Sequence, residues 1–138
     1  MTVAVCLCDR GGMLFNGRRQ SRDRVLLEHF MTLCGGSRVL ISDFSSKLFD
    51  AYSERVSVLP DPLGSAKDGD VVFVENLKLS SVADKIDKMI VYRWNRTYPA
   101  DFYLDTPPED CGLVLSESRE FEGSSHEKIT EEIWIRKA

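Results

Sequence analysis

Val3-Ala4-Val5-Cys6-Leu7-Cys8, closed by Asp9-Arg10-Gly11-Gly12, is the stretch on which the reading of the fold turns. A continuous apolar run of this kind is the mark of a strand covered on both faces, and the Gly-Gly pair ends it. Beyond it, Met13 to Gln20, carrying Asn16-Gly17, reads as a loop. Ser21 is placed to cap a helix that runs to about Leu33 and is closed by Gly35-Gly36. On that helix Leu27, Phe30 and Cys34 follow Asp23 at helical spacing, so Asp23 shares the apolar face.

Further strands are predicted at 38–42, 55–59, 71–74, 89–94 and 113–118, with short helices at 43–52 and 80–86. In the closing segment Ile129, Glu131, Ile133 and Ile135 alternate with Thr130, Glu132, Trp134 and Arg136, the period of a half-exposed strand. Strand–helix units come first and an antiparallel pair last. That order predicts an α/β fold of three layers: a mostly parallel sheet, helices on both faces, and an antiparallel C-terminal strand pair.

The composition sets the outer limits. With 138 residues, 43% hydrophobic and 29% charged, the chain suits one soluble globular domain spanning 1–138. A formal charge of −4 argues against non-specific nucleic-acid binding, which needs a surplus of Lys and Arg. No apolar run approaches the roughly 20 residues of a membrane span, and no basic segment precedes the first apolar stretch as in a signal peptide. A cytoplasmic location is therefore expected. Cys6, Cys8, Cys34 and Cys111 lack the spacing of a zinc site and read as buried thiols in a reducing compartment. His29 and His126 are the only histidines, too few for a multi-histidine metal centre.

Several segments, in order, resemble the dihydrofolate reductase family. Val5 to Arg10 with Met13 is similar to that family's first strand and the opening of its mobile loop. The helix with Asp23 matches the helix that carries the family's acidic pterin-binding residue. Val39-Leu40-Ile41 and Val71 to Val74 resemble later strands, and Ala100-Asp101-Phe102-Tyr103 is similar to a Gly-Asp-Thr-x-Phe-Pro stretch. Ser125-His126 and Glu132 to Lys137 resemble the final strand. The resemblance implies a reductase-like scaffold with a pterin pocket beside Asp23 and a dinucleotide along the strand ends.

The departures fall on the dinucleotide side. Where the family has Gly-Arg-x-Thr for the cofactor phosphates, this chain has Ser42-Asp43-Phe44-Ser45, with an anion in place of a cation. Where the family has a Gly-Gly pair that lets the backbone approach the pyrophosphate, it has Glu75-Asn76. The segment from Tyr52 to Asp70 is also short. These features predict that NADPH binding has gone and that no cofactor is held. On the pterin side Asp23 is kept, while Arg93 stands where the family has a partner Thr. An ion pair between Asp23 and Arg93 is expected, keeping Asp23 ionised and a poor proton donor.

Two cation-rich segments complete the candidate pocket of Asp23, Arg93, Arg18, Arg19, Arg22 and Trp94. Arg18-Arg19-Gln20-Ser21-Arg22 enters the first helix, where guanidinium groups and a helix end can hold an oxyanion. Tyr92-Arg93-Trp94-Asn95-Arg96-Thr97-Tyr98 sets aromatics beside cations, as base stacking requires; the plainer reading has Trp94 in the core and the arginines outside. An anionic small molecule or a nucleotide is the ligand class these imply, and a homo-oligomer is the partner class. Phe15-Asn16-Gly17-Arg18-Arg19-Gln20-Ser21 and Tyr92-Arg93-Trp94-Asn95-Arg96 also resemble short bacterial proteins, some labelled ribonuclease Z, but that chemistry needs a His-x-His-x-Asp-His metal cluster. Ser124-Ser125-His126-Glu127 gives no triad by adjacency, since neighbours on a strand point to opposite faces; His126 reads as a turn or strand-end residue. The expected function is non-catalytic: a ligand-binding or protein-interaction module. The alternative is an enzyme on the same scaffold, either a reductase with an altered cofactor or a nucleotide-acting enzyme.

Overall fold

In the computed structural model, which describes residues 1–137, the chain runs in order through β1 (Thr2–Leu7), β2 (Gly12–Phe15), β3 (Arg18–Arg19), α1 (Arg24–Cys34), β4 (Val39–Ile41) and β5 (Val56–Val58). It continues through α2 (Pro62–Ser65), β6 (Val71–Phe73), β7 (Lys88–Arg93), β8 (Phe102–Tyr103), β9 (Leu113–Phe121) and β10 (Ile129–Arg136). Seven strands form one sheet in the order β5-β4-β6-β1-β7-β10-β9. The five from β5 to β7 are parallel, while β10 runs antiparallel to both β7 and β9. The apolar run that predicted a doubly covered strand is thus the central strand of the seven-stranded sheet, flanked by β6 and β7.

Alternation along the strands divides the core between two faces. Ala4, Phe73, Ile90 and Tyr92 meet the buried side of α1, which contributes Leu26, Leu27, Phe30, Met31 and Cys34. Phe30, Phe49 and Phe73 pack there at tilted or edge-on angles, with centroids 5.0–6.1 Å apart. Val3, Val5, Leu7, Val72 and Val91 meet the opposite layer, built from β2, α2 and the 3-10 turn Ser80–Lys85. Among the described residues no helix is long and apolar enough to cross a membrane.

Four local expectations need correction. Residues 13–20 are not a loop: β2 and β3 pair antiparallel, and β8 adds to β2 to make a second sheet, β3-β2-β8. Asn16 (φ 51°) and Gly17 (φ 70°) supply the two left-handed residues of a tight hairpin turn. The helix expected at 43–52 is two 3-10 turns, Asp43–Ser45 and Asp50–Tyr52. There Ser46 Oγ bonds the Asp43 carbonyl (2.8 Å), the kind of local competition that keeps serine out of regular helix. Residues 80–86 likewise form a 3-10 turn rather than an α-helix. Finally, α1 is capped by Asp23 and not by Ser21, since Asp23 has extended φ and ψ and accepts from Val25 N and Leu26 N.

Candidate functional site

In open α/β sheets, ligand sites form outside the carboxyl ends of the parallel strands. Here that rim carries Ser42 after β4, Glu75 beyond β6 and Trp94 after β7, with the β2–β3 hairpin and the start of α1 folded over it. Two polar clusters hold it together.

The first is centred on Asp23, which is 3% exposed. Oδ1 accepts from the amides of Val25 (2.9 Å), Leu26 (3.1 Å) and Ser124 (2.9 Å). Oδ2 accepts from the Ser125 amide (2.8 Å) and lies 3.0 Å from His126 Nδ1. The Ser124 and Ser125 hydroxyls add bonds of 3.2 and 3.1 Å. Burial pushes the carboxyl up, but the Ser125 and Ser124 amides, His126 and the Leu26 amide outweigh it and hold the pKa well below the usual carboxylate range. Asp23 is therefore an anion that ties the N-terminus of α1 to the β9–β10 connection. His126, itself buried, stacks on Trp94 with centroids 4.5 Å apart. Its Nε2 lies 3.0 Å from Ser21 Oγ and 3.1 Å from the Tyr98 hydroxyl.

The second cluster is centred on Glu75. Arg19 grips its carboxylate with both Nε (2.7 Å) and Nη2 (2.8 Å), and the buried Ser45 hydroxyl donates to Oε1 (2.7 Å). The guanidinium also lies 5.3 Å from the Phe44 ring centroid. Asn76 accepts from Ser42 Oγ (3.1 Å), whereas Asp43 is exposed. Burial, with Glu75 beside it, pushes the neighbouring Cys6 thiol well up, so it stays protonated.

Between the clusters lies a cavity of about 20 Å³, bordered by Cys6, Met13, Arg19, Asp23, Glu75 and Trp94. That is room for one water-sized group. Gln20 also lines it, and Gln20 Oε1 is buried with no partner among the described residues. Outside, sharing Arg22, Asp23, Leu27 and Leu48 as a wall, an open groove of about 590 Å³ runs past Arg24, Tyr52 and Ser124.

Of the six candidate pocket residues, Asp23, Arg19, Arg22 and Trp94 line the small cavity. Arg18 faces away, beside Phe15 and Tyr98. The expected Asp23–Arg93 pair is absent: Arg93 bonds Glu132 of β10 through Nε (3.1 Å) and Nη2 (3.1 Å). The reason is the strand period, since Tyr92 and Trp94 point toward α1 and Arg93 must point to the other face. Trp94 is 4% exposed and covered by His126, so it offers no free ring to a base. Asp23 is ionised, as expected, but its partner is His126. That residue was read from sequence only as a turn or strand-end position. Nothing local announces a partnership across 103 positions.

The resemblance placed a dinucleotide phosphate beside Glu75-Asn76. The residues present do not fit it: a carboxylate already bonded by Arg19 and Ser45 occupies the approach. The correction is that the anion is internally neutralised, so closure of the cleft rather than charge repulsion stands against the ligand.

No family model matches the sequence, and no curated protein matches it. Among solved structures the chain is similar to dihydrofolate reductase from Enterococcus faecalis complexed with NADP(H) and RAB-propyl, with a TM-score of 0.67 and 10% identity, over 100% of this chain and 97% of that one. At that identity the likeness speaks to architecture and not to activity. The chain has a dihydrofolate-reductase-like fold.

Proposed function

We propose that this chain is a binding module on a reductase-like scaffold, for a small anionic ligand or a protein partner, and that it does not carry out dinucleotide-dependent reduction. The observation that carries the reading is the Arg19–Glu75–Ser45 cluster, which fills the strand-end cleft and leaves about 20 Å³ beside Asp23. A pterin ring is several times too large for that space. Asp23, committed to amides and to His126, has no free valence to present to one. The open groove supports the ligand class: Arg22 brings positive charge and Tyr52 an aromatic surface, while Arg24 is paired with Glu28 on the same wall (2.9 Å). An anionic small molecule or nucleotide suits it.

Thermal unfolding in the presence of NADPH, NADH, folates, flavins and nucleotides tests this. A ligand at a hundred times its Kd stabilises the native state by about 2.7 kcal/mol, a shift of several degrees. Stabilisation by a nucleotide or another anion, lost in Arg22→Ala/Arg24→Ala, is the expected result. Stabilisation by NADPH overturns the reading. Silence across the panel, with a defined oligomer by light scattering, selects the protein-interaction branch. A second reading, an enzyme on the same scaffold, is favoured by one observation. The hydrogen-bonded series Ser21–His126–Asp23 has the order of a nucleophile, a base and an orienting acid.

A further inference from the structure

We propose that Ser21, His126 and Asp23 form an acyl-transfer centre, with Ser21 as the nucleophile toward a carboxylic ester whose alcohol portion is anionic. This rests on the enzyme reading and not on ligand capture in the open groove alone. The three residues come from the hairpin exit, the β9–β10 connection and the cap of α1. The fold brings them into line: Ser21 Oγ lies 3.0 Å from Nε2, and Nδ1 lies 3.0 Å from Asp23 Oδ2.

Proton positions follow from the acid. An ionised carboxylate only accepts, so Nδ1 carries the imidazole proton and Nε2 presents its lone pair to Ser21. Asp23 is fixed by the Val25, Leu26, Ser124 and Ser125 amides, which in turn fixes the tautomer and the ring plane. Trp94 stacks on the imidazole and shields it, while Ser21 stays half-exposed on the cavity wall. A helix cap alone accounts for Ser124, Ser125 and the Nδ1 side of His126. It gives no reason for two hydroxyls, Ser21 and Tyr98, to converge on Nε2.

The surroundings set the substrate. The cavity of about 20 Å³ has room for the carbonyl oxygen of an ester, and the adjoining groove takes the alcohol portion past Arg22 and the Arg24–Glu28 pair. Arg22 follows the nucleophile. Its amide makes no hydrogen bond among the described residues, which leaves it free to donate to a developing oxyanion.

As the Oγ–C bond forms, the Ser21 proton passes to Nε2, and the imidazolium is held by Asp23 and by the Tyr98 oxygen. That proton moves to the departing oxygen as the C–O bond breaks, releasing the alcohol. Water then gives a proton to Nε2 and attacks the acyl carbon. Ser21 Oγ regains its proton on leaving, and the acid is released; the cycle is redox-neutral.

A fluorophosphonate probe, which a serine attacks with loss of fluoride, tests the proposal on the full chain, with the labelled peptide identified by mass spectrometry. Expected are label on Ser21, none in Ser21→Ala, and a labelling rate about 100-fold lower or less in His126→Gln. Tyr98→Phe, which leaves the buried Asp23–His126 bond in place, retains the label and covers the case in which His126→Gln fails to fold. Absence of label on Ser21 in folded protein, or label that persists in Ser21→Ala, overturns the proposal. Neither outcome bears on ligand stabilisation in the open groove.

Discussion

Asp23→Asn removes one negative charge and one acceptor from a position that is 3% exposed, and the structure sets the size of the effect. The asparagine oxygen can keep the role of Oδ1 toward Val25, Leu26 and Ser124. Its NH₂ group then stands where Oδ2 accepted from the Ser125 amide (2.8 Å) and faced His126 Nδ1 (3.0 Å), so donors meet donors. Flipping the amide moves the conflict to the other three amides. Charge-assisted bonds contribute about 1.5–3 kcal/mol each, and a change of imidazole tautomer relieves one of the two clashes. The expected loss is about 3–4 kcal/mol, or roughly 10–15 °C in Tm for a chain of this length. Urea unfolding followed by tryptophan fluorescence measures it, with Trp94 stacked on His126 as the reporter. The pH dependence gives an independent arm. Because the native carboxyl is held below its ordinary value, its contribution is complete above the unfolded carboxylate pKa of about 4 and is lost as pH falls toward the depressed native value. The gap between wild type and variant therefore narrows as pH falls below about 4. A loss under 1 kcal/mol, or a gap that widens in acid, refutes the assignment of Asp23 as the anionic anchor.

Arg19→Ala strands the Glu75 carboxylate, whose side chain is 10% exposed, with only Ser45 as a donor, and is expected to cost about 2–4 kcal/mol. Adding Glu75→Gln should recover at least half of that in a double-mutant cycle by chemical denaturation, whereas simple additivity refutes the pairing. Gly123→Ala would drive a methyl group into the Asp23 carboxylate and the Ile129 side chain, for a loss of about 1–3 kcal/mol. Gly36→Ala, whose new methyl meets nothing within 4 Å, serves as the control and should leave Tm within a degree or two.

The parallel core was legible because its signals are local. β1, β4, β6 and β7 are short apolar runs bounded by turn residues, and β10 alternates with period two. The β2–β3 hairpin was readable too, since Asn16-Gly17 is the strongest short turn signal and sits between Leu14-Phe15 and Arg18-Arg19; treating it as a loop gave the strand content away. Asp23 was placed on the correct face but on the wrong side of the helix boundary, where a serine and an aspartate two residues apart competed for the cap. The site itself was only partly readable. Glu75 and Arg19 were each singled out, yet their pairing joins positions 56 apart, and the Asp23–His126 bond joins positions 103 apart. No periodicity encodes such contacts; they exist only once the sheet has set the distances.

The place of β1 bears on how the chain is made. It is made well before either of its neighbours, since Thr2 pairs with Val71 on one side and Lys88 on the other. At about 5–20 residues per second, an apolar ribbon with two open edges waits for several seconds before either neighbour has been synthesised. The β7 edge is then closed by β10, which follows β9 in the chain and inserts between β7 and β9. A nascent chain stalled anywhere before β7 presents Val3 to Leu7 to whatever strand or chaperone meets it first.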